Sequence, residues 1–275
     1  MGDGRRWEGP VGVSWSTRDE RLIDVGRPTV ASEPLLELGG SGGESAFADV
    51  SQSDVVAFEQ LASSSTAPGG LLGASLWQLA IKRAMDIVGS LLLLVLLAPL
   101  LVIFACAIAF TSPGPVLFRQ ERVGRDGRPF TMFKFRSMYD RAHEERENHH
   151  LMNEATGPVF KIREDPRTTS VGRLIRRTSI DELPQLVNVL LGEMSLVGPR
   201  PPLPEECLQY GEREMCRLLV KPGITCNWQV SGRSDLDFDT WVALDLQYIR
   251  TWTLRRDVAL LLKTVPAVFT GKGAY

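Results

Sequence analysis

The chain has 275 residues, 44% of them hydrophobic and 23% charged, with a formal net charge of −2. This suffices for one substantial domain or two small ones. Residues 1–77 hold 5 Lys/Arg and 11 Asp/Glu, a net of −6, whereas residues 78–275 hold 26 and 22, a net of +4. The mild basic bias of the larger part excludes nucleic acid as the expected partner and suits a membrane surface or phosphate-bearing substrates.

Cys106 lies in an apolar run, and Cys207, Cys216 and Cys226 match no zinc spacing, so all four are expected as reduced structural thiols. His143, His149 and His150 support neither a Ser-His-Asp hydrolase nor a His-based metal site. Residues 1–30 lack a basic segment followed by an apolar core, so no secretory signal is expected.

In chain order, residues 1–77 are rich in Gly, Ser, Glu and Asp and read as a disordered acidic tail or linker. Gly69, Gly70 and Gly73 resemble half of a dinucleotide fingerprint, but no strand precedes them. Residues 87–111 then run without one charge, mostly Leu, Val, Ile and Ala. A helix of that length reaches roughly 37 Å, more than the ~30 Å hydrocarbon core, and it has no polar face to turn to water. Residues 78–112 are therefore assigned to the membrane. Lys82 and Arg83 precede the run, and Arg119, Arg122, Arg125 and Arg128 follow it, so both flanks carry the charge that marks the cytoplasmic side. Pro99 favours a bend near the middle. A helix that dips and returns and a helix that spans both remain open, and both leave residues 113–275 as a cytoplasmic catalytic domain.

Residues 116–122 and 129–138 alternate as two strands joined through Asp126-Gly127. Lys134 and Arg136 lie two apart and are expected on one face. Residues 139–154 are polar and expected helical. Residues 178–192 read as one helix, with Ser179 as N-cap, Glu182 closing a capping box, Leu183, Leu186, Val187 and Leu190 as its apolar face, and Gly192 as its stop. Asp181 and Glu182 then fall in the first turn, where capping alone would explain them. Arg173, Arg176 and Arg177 stand just before, and a helix start favours anions. Two carboxylates in that company are expected to stay ionised, one as a nucleophile and its neighbour as a ligand for Mg²⁺. Pro199 and Pro201 stiffen the backbone around Arg200, which suits an arginine that meets a phosphate. Asp245 and Tyr248 are expected on one helix face.

From residue 79 to the end, the chain resembles the bacterial sugar transferases, monotopic polyprenyl-phosphate phosphoglycosyltransferases. The resemblance rests on Lys82-Arg-Ala-Met-Asp86, the apolar run with Pro99, Phe133-Lys-Phe-Arg-Ser-Met138, Thr178-Ser-Ile-Asp-Glu-Leu-Pro-Gln-Leu186, Gly192-Glu-Met-Ser-Leu-Val-Gly-Pro-Arg-Pro201, Lys221-Pro-Gly-Ile-Thr225 and Trp228-Gln-Val-Ser-Gly-Arg233. It implies an α/β, mostly helical, membrane-associated domain with a re-entrant helix broken at Pro99, a small β-hairpin and surface amphipathic helices. It implies Asp181 as nucleophile, with Glu182 and Mg²⁺ beside it; Lys134, Arg136, Arg176, Arg200 and Arg233 are expected as the phosphate-binding residues. The expected substrates are a UDP-sugar and undecaprenyl phosphate, at the cytoplasmic face of a bacterial inner membrane, and by analogy the family allows a homodimer.

Gly157-Pro-Val-Phe-Lys161, Asp165-Pro-Arg167 and the Gly273-Ala-Tyr275 end resemble the branch that begins exopolysaccharide or O-antigen repeats with hexose-1-phosphate, with glucose or galactose expected. Larger members carry four further membrane helices and another domain ahead of the catalytic part; here a 77-residue polar segment is expected in that place. Cys226-Asn227 stands where the family usually has Gly and an apolar residue. Two other classes fit less well: a non-catalytic membrane scaffold of a polysaccharide assembly complex, which would lack the Asp-Glu pair, and a CDP-alcohol headgroup transferase, which needs several spanning helices.

Overall fold

A computed structural model describes residues 70–140, 142, 152–231 and 236–270. The polar tail and most of the segment 139–154 expected as helix lie outside these. Helix α1 covers Leu76–Thr111 and contains the whole uncharged run. Gln78 Oε1 accepts from the Ser75 backbone N–H at 2.9 Å and fixes its start. The helix passes through Pro99 as one element. Its middle offers little to a protein core: Val95, Leu96, Val102 and Ile103 are all more than 60% exposed. It is the one helix among the described residues long and apolar enough to cross a membrane.

Both ends of α1 are held by the same folded unit. Near the start, Lys82 Nζ meets Asp257 Oδ2 at 2.7 Å and the Val197 carbonyl at 3.1 Å. Asp86, one turn on, accepts from the Ser195 hydroxyl and the Leu196 N–H. Arg83 donates to the carbonyls of Val189 and Leu190. Lys82 and Arg83, expected as charges flanking a membrane segment, are thus ligands of the domain. At the far end Ile108 is buried against Phe135 and Ile175.

Strands β1 (Leu117–Val123) and β2 (Pro129–Phe135) form the expected antiparallel hairpin, with Val123 opposite Pro129. Asp126 and Gly127 both take positive φ in its turn. The free edge of β2 is occupied by a side chain. Asn188 Oδ1 accepts from the Phe133 N–H at 3.1 Å, and its amide donates to the Thr131 carbonyl at 2.7 Å. Asn188 belongs to α3 (Gln185–Leu191), which follows α2 (Ser170–Arg177). Gly192 ends α3 at φ 89°, as its position implied.

A second sheet was not visible in the sequence: β3 (Ser195–Val197) pairs parallel with β4 (Gly223–Thr225). A Cβ on Gly223 would fall 2.0 Å from the Gly198 nitrogen, so the two backbones pass where no side chain fits. Short helices α4 (Pro204–Cys207) and α5 (Glu212–Met215) lead into β4, and α6 (Asn227–Ser231), α7 (Phe238–Arg250) and α8 (Leu254–Thr270) complete the fold. The main core gathers Leu186, Val189, Met194, Val242 and Trp252 between α3, β3 and α7. Asp245 and Tyr248 are both buried on α7, as expected, but serve different partners: Asp245 pairs with Arg217 at 2.9 Å, and Tyr248 donates to Asp257 at 2.7 Å. Cys226 and Asn227 are buried too, and the Asn227 amide donates to the Leu244 carbonyl, so the departure at this position is accommodated.

Asp257 on α8 accepts from Lys82, Tyr248 and the Trp252 indole N–H. Removing it leaves the buried Lys82 ammonium without its counter-charge and the Trp252 N–H without its acceptor, a loss of about 3–5 kcal/mol. Thermal unfolding of Asp257→Ala in detergent should therefore show a large drop in midpoint, and a shift worth less than about 1 kcal/mol would refute this role.

Candidate active site

Asp181 and Glu182 do not open a helix. Ser179 takes φ 56° with no side-chain cap, and Ile180–Glu182 form one 3₁₀ turn before α3 begins beyond Pro184. The expected capping box is absent because Ser179 has another task. Its left-handed backbone ends α2, and its N–H bonds back to the Arg176 carbonyl at 3.0 Å. Two helices thus meet at one tight turn, and that turn carries the carboxylates. Freed from capping, Glu182 Oε1 meets Lys134 Nζ at 3.0 Å.

Three further elements bring cations here. Lys134 comes from β2, whose edge Asn188 fixes to α3. Arg176 comes from the last turn of α2, steadied by the Thr168 hydroxyl at 3.1 Å. Arg200 comes from the Pro-Arg-Pro segment after β3, 3.9 Å from buried Glu206. Its carbonyl also accepts from Arg217. Arg122 lies beyond it, pushed down to about 9 by burial and by the Arg200 charge. Lys134, Arg176, Asp181, Glu182 and Arg200 all line one cavity of about 360 Å³.

The cavity has two characters. One wall carries these charges together with Lys161. The other is apolar: Leu93 from the exposed helix α1, Leu196 and Ile224 from the parallel strands, and Leu261, Ala267 and Val268 from α8. Gly89 lets this wall close, since a Cβ there would sit 2.8 Å from Leu196 Cδ1. Trp228 and Trp241 line the cavity as a stacked pair, with ring centroids 4.3 Å apart. A carboxylate pair ringed by cations beside an apolar wall can take phosphate chemistry on a molecule that also carries a hydrocarbon part.

The electrostatics correct one expectation. Asp181 is pushed up to about 7, by burial first and by the Glu182 charge second, against the pull of Lys134 and Arg176. Desolvation outweighs the cations, so near neutrality the carboxyl is balanced between its two forms rather than fully ionised.

Arg136 is also corrected. The strand ends at Phe135, and the Arg136 guanidinium turns to the end of α1, donating to the Ser112 carbonyl at 2.6 Å and hydroxyl at 2.8 Å. It closes a helix C-terminus, where carbonyls attract a cation, and it does not line the cavity. Arg233 lies outside the described residues. Pro99 sits within α1, away from the lining. Sequence reasoning missed Glu206, whose only local sign is an acidic residue soon after Pro-Arg-Pro, and gave the Trp228–Trp241 pair no role because the partners are thirteen residues apart.

Known proteins agree in family. The sequence profile described as bacterial sugar transferase matches residues 77–271. The chain is 44% identical over 205 residues to the undecaprenyl-phosphate galactose phosphotransferase of Salmonella typhimurium, covering 71% of this chain and 42% of that protein. It is 44% identical over 203 residues to the UDP-glucose:undecaprenyl-phosphate glucose-1-phosphate transferase of Escherichia coli, covering 71% and 41%. It is 38% identical over 198 residues to the exopolysaccharide production protein ExoY of Rhizobium meliloti, covering 70% and 88%. The chain thus spans about two fifths of the longer relatives.

Infrared difference spectra of wild type against Asp181→Asn isolate this carboxyl. Its protonated band should disappear with a midpoint near 7, and Lys134→Met should move the midpoint higher, because a cation that favours the charged form is gone. A midpoint at the ordinary carboxylate value of about 4 would overturn the assignment.

Proposed function

The chain belongs to the bacterial sugar transferase family, and from that membership we propose that it moves a sugar-1-phosphate from a UDP-sugar to undecaprenyl phosphate, releasing UMP. The observation that carries this reading is the cavity itself: a buried Asp181 beside Glu182, three cations from separate elements, and an apolar wall contributed by α1 and α8. The names of the relatives point to glucose or galactose as the sugar and to exopolysaccharide synthesis as the setting.

In this reading an Asp181 carboxylate oxygen attacks the β-phosphorus of the donor. The bond from that phosphorus to the oxygen bridging the two phosphates breaks, and UMP leaves with the electron pair. An oxygen of undecaprenyl phosphate then attacks the aspartyl-bound phosphorus, the aspartyl bond breaks, and the carboxylate returns with the lipid diphosphate-sugar formed. Lys134, Arg176 and Arg200 offset charge on the phosphoryl oxygens.

The family resemblance implies Mg²⁺. Among the described residues no group of three or more His, Cys, Asp or Glu comes together. Mg²⁺ often needs no more than one or two carboxylates, taking its remaining ligands from water and substrate phosphates. Asp181 and Glu182 fit that mode, and Glu182 already stands where a cation, Lys134, is held. When bound, Mg²⁺ would neutralise charge on the donor phosphates.

The membrane reading follows from how α1 is held. From Asp86 to Ile108 a straight helix covers about 33 Å, enough to separate its ends by a bilayer core. Yet Asp86 and Ile108 are both packed on the same domain. This favours a helix that enters and returns on one face over one that crosses. The domain then lies at the cytoplasmic face of a bacterial inner membrane, with the cavity at headgroup depth.

The test is UMP release by detergent-solubilised protein with Mg²⁺, undecaprenyl phosphate and a panel of UDP-sugars. Release is expected with UDP-glucose or UDP-galactose, lost by Asp181→Asn and reduced at least 10²-fold by Glu182→Gln. Folded protein that releases UMP from no sugar would shift weight to the scaffold reading, and full activity in Asp181→Asn would remove the nucleophile.

A further inference from the structure

Two cations meet on the α1 side of the domain, outside the cavity. Arg83 lies on α1 and Lys221 opens the turn before β4, 138 positions apart in sequence. A Cβ built on Gly192 would stand 3.4 Å from Arg83 Nη2 and 3.6 Å from Lys221 Nζ. The two charged groups are therefore no more than 7.0 Å apart, by the sum of these distances.

Like charges this close repel, and the carbonyls at the end of α3 relieve only part of it, since they carry partial rather than full charge. Arg83 spends two donors on the Val189 and Leu190 carbonyls at the end of α3. Among the described residues neither cation has a carboxylate within 4.0 Å. Asp86, which favours the Lys221 ammonium, is already engaged by Ser195 and Leu196. Burial, with the Arg83 guanidinium second, holds the Lys221 ammonium below its ordinary value. The fold thus maintains an electrostatic cost here that an anion would remove.

The surroundings indicate which anion. Ile87 and Leu91 continue the face of Arg83 along α1, at i+4 and i+8, and are 40% and 54% exposed. Across from them Val187 and Leu191 on α3 are 40% and 64% exposed. Cations at the foot of an exposed apolar strip match a headgroup with an attached chain better than a free ion. We propose that Arg83 and Lys221, at the bend of Gly192, bind the phosphate of an anionic phospholipid whose acyl chain lies along Ile87, Leu91, Val187 and Leu191. The site takes a structural lipid, separate from the polyprenyl acceptor. It rests on the reading that α1 enters the membrane.

The test uses the full chain in detergent and titrates phosphatidylglycerol against phosphatidylcholine by native mass spectrometry. Wild type should prefer phosphatidylglycerol. Lys221→Gln should weaken that preference roughly fivefold, and Lys221→Glu should abolish it. Inorganic phosphate at millimolar levels should not compete. Photoactivatable phosphatidylglycerol on the wild-type protein should label residues 87–91 and 187–191, a readout independent of how the variants fold. Unchanged preference in Lys221→Glu, labelling elsewhere, or equal competition by inorganic phosphate would each overturn the site. Flotation with pure phosphatidylcholine vesicles tests α1 insertion separately: all variants should still float, and failure of wild type to float would remove the membrane reading instead.

Discussion

The carboxylate of Asp257 is the point on which the rest of the arrangement hangs. A helix such as α1 has no polar stripe to set its rotation, because nearly every side chain along its middle is apolar. Hydrophobic attraction alone would let it turn or slide. Lys82, drawn to Asp257, and Asp86, one turn later, give it a single orientation. Gly89 then faces Leu196, and Leu93 closes the cavity. A buried ion pair is seldom a large net gain in stability, but it specifies geometry that apolar contacts leave degenerate.

The cavity is built on the same economy. No element contributes more than one of the cations Lys134, Arg176 and Arg200, and each is held by a partner outside the cavity or by the carboxylate it faces. Asn188 is the least obvious contributor. A two-stranded hairpin is marginal by itself. By bonding to Thr131 and Phe133, Asn188 supplies what a third strand would, and so sets the distance between Lys134 and Glu182. Asp181 is buried by this assembly, and that burial, more than any nearby charge, raises its carboxyl above the ordinary range.

Much of this could be read from residues alone. The uncharged run, the Asp126-Gly127 hairpin and the Gly192 stop depend on local physics, and they stand where expected. The Asp-Glu pair and Lys134, Arg176 and Arg200, singled out from the sequence, line one cavity. The failures share a cause. Ser179 fits a cap by local rules, but α2 ends in the same residue and claims it. Arg136 fits the face of Lys134 by alternation, but the strand stops one residue too soon. The parallel pair β3–β4 involves three residues each, too few for any period to show. For Arg136 and for β3–β4 the deciding partner lies 24 and 28 residues away; for Ser179 it is only three residues back, but in the preceding helix rather than the one it was read to cap.

The link between α1 and α8 also imposes an order in time. Lys82 and Asp257 are 175 residues apart in the chain. At ribosomal speeds of about 5–20 residues per second, Asp257 emerges roughly 9–35 s after Lys82. During that interval the apolar helix is already made, while its ammonium has no carboxylate to meet. Until Asp257 follows, the Lys82 ammonium is without the partner that orients the helix. Docking of α1 on the domain therefore waits for α8, which acts as the clasp.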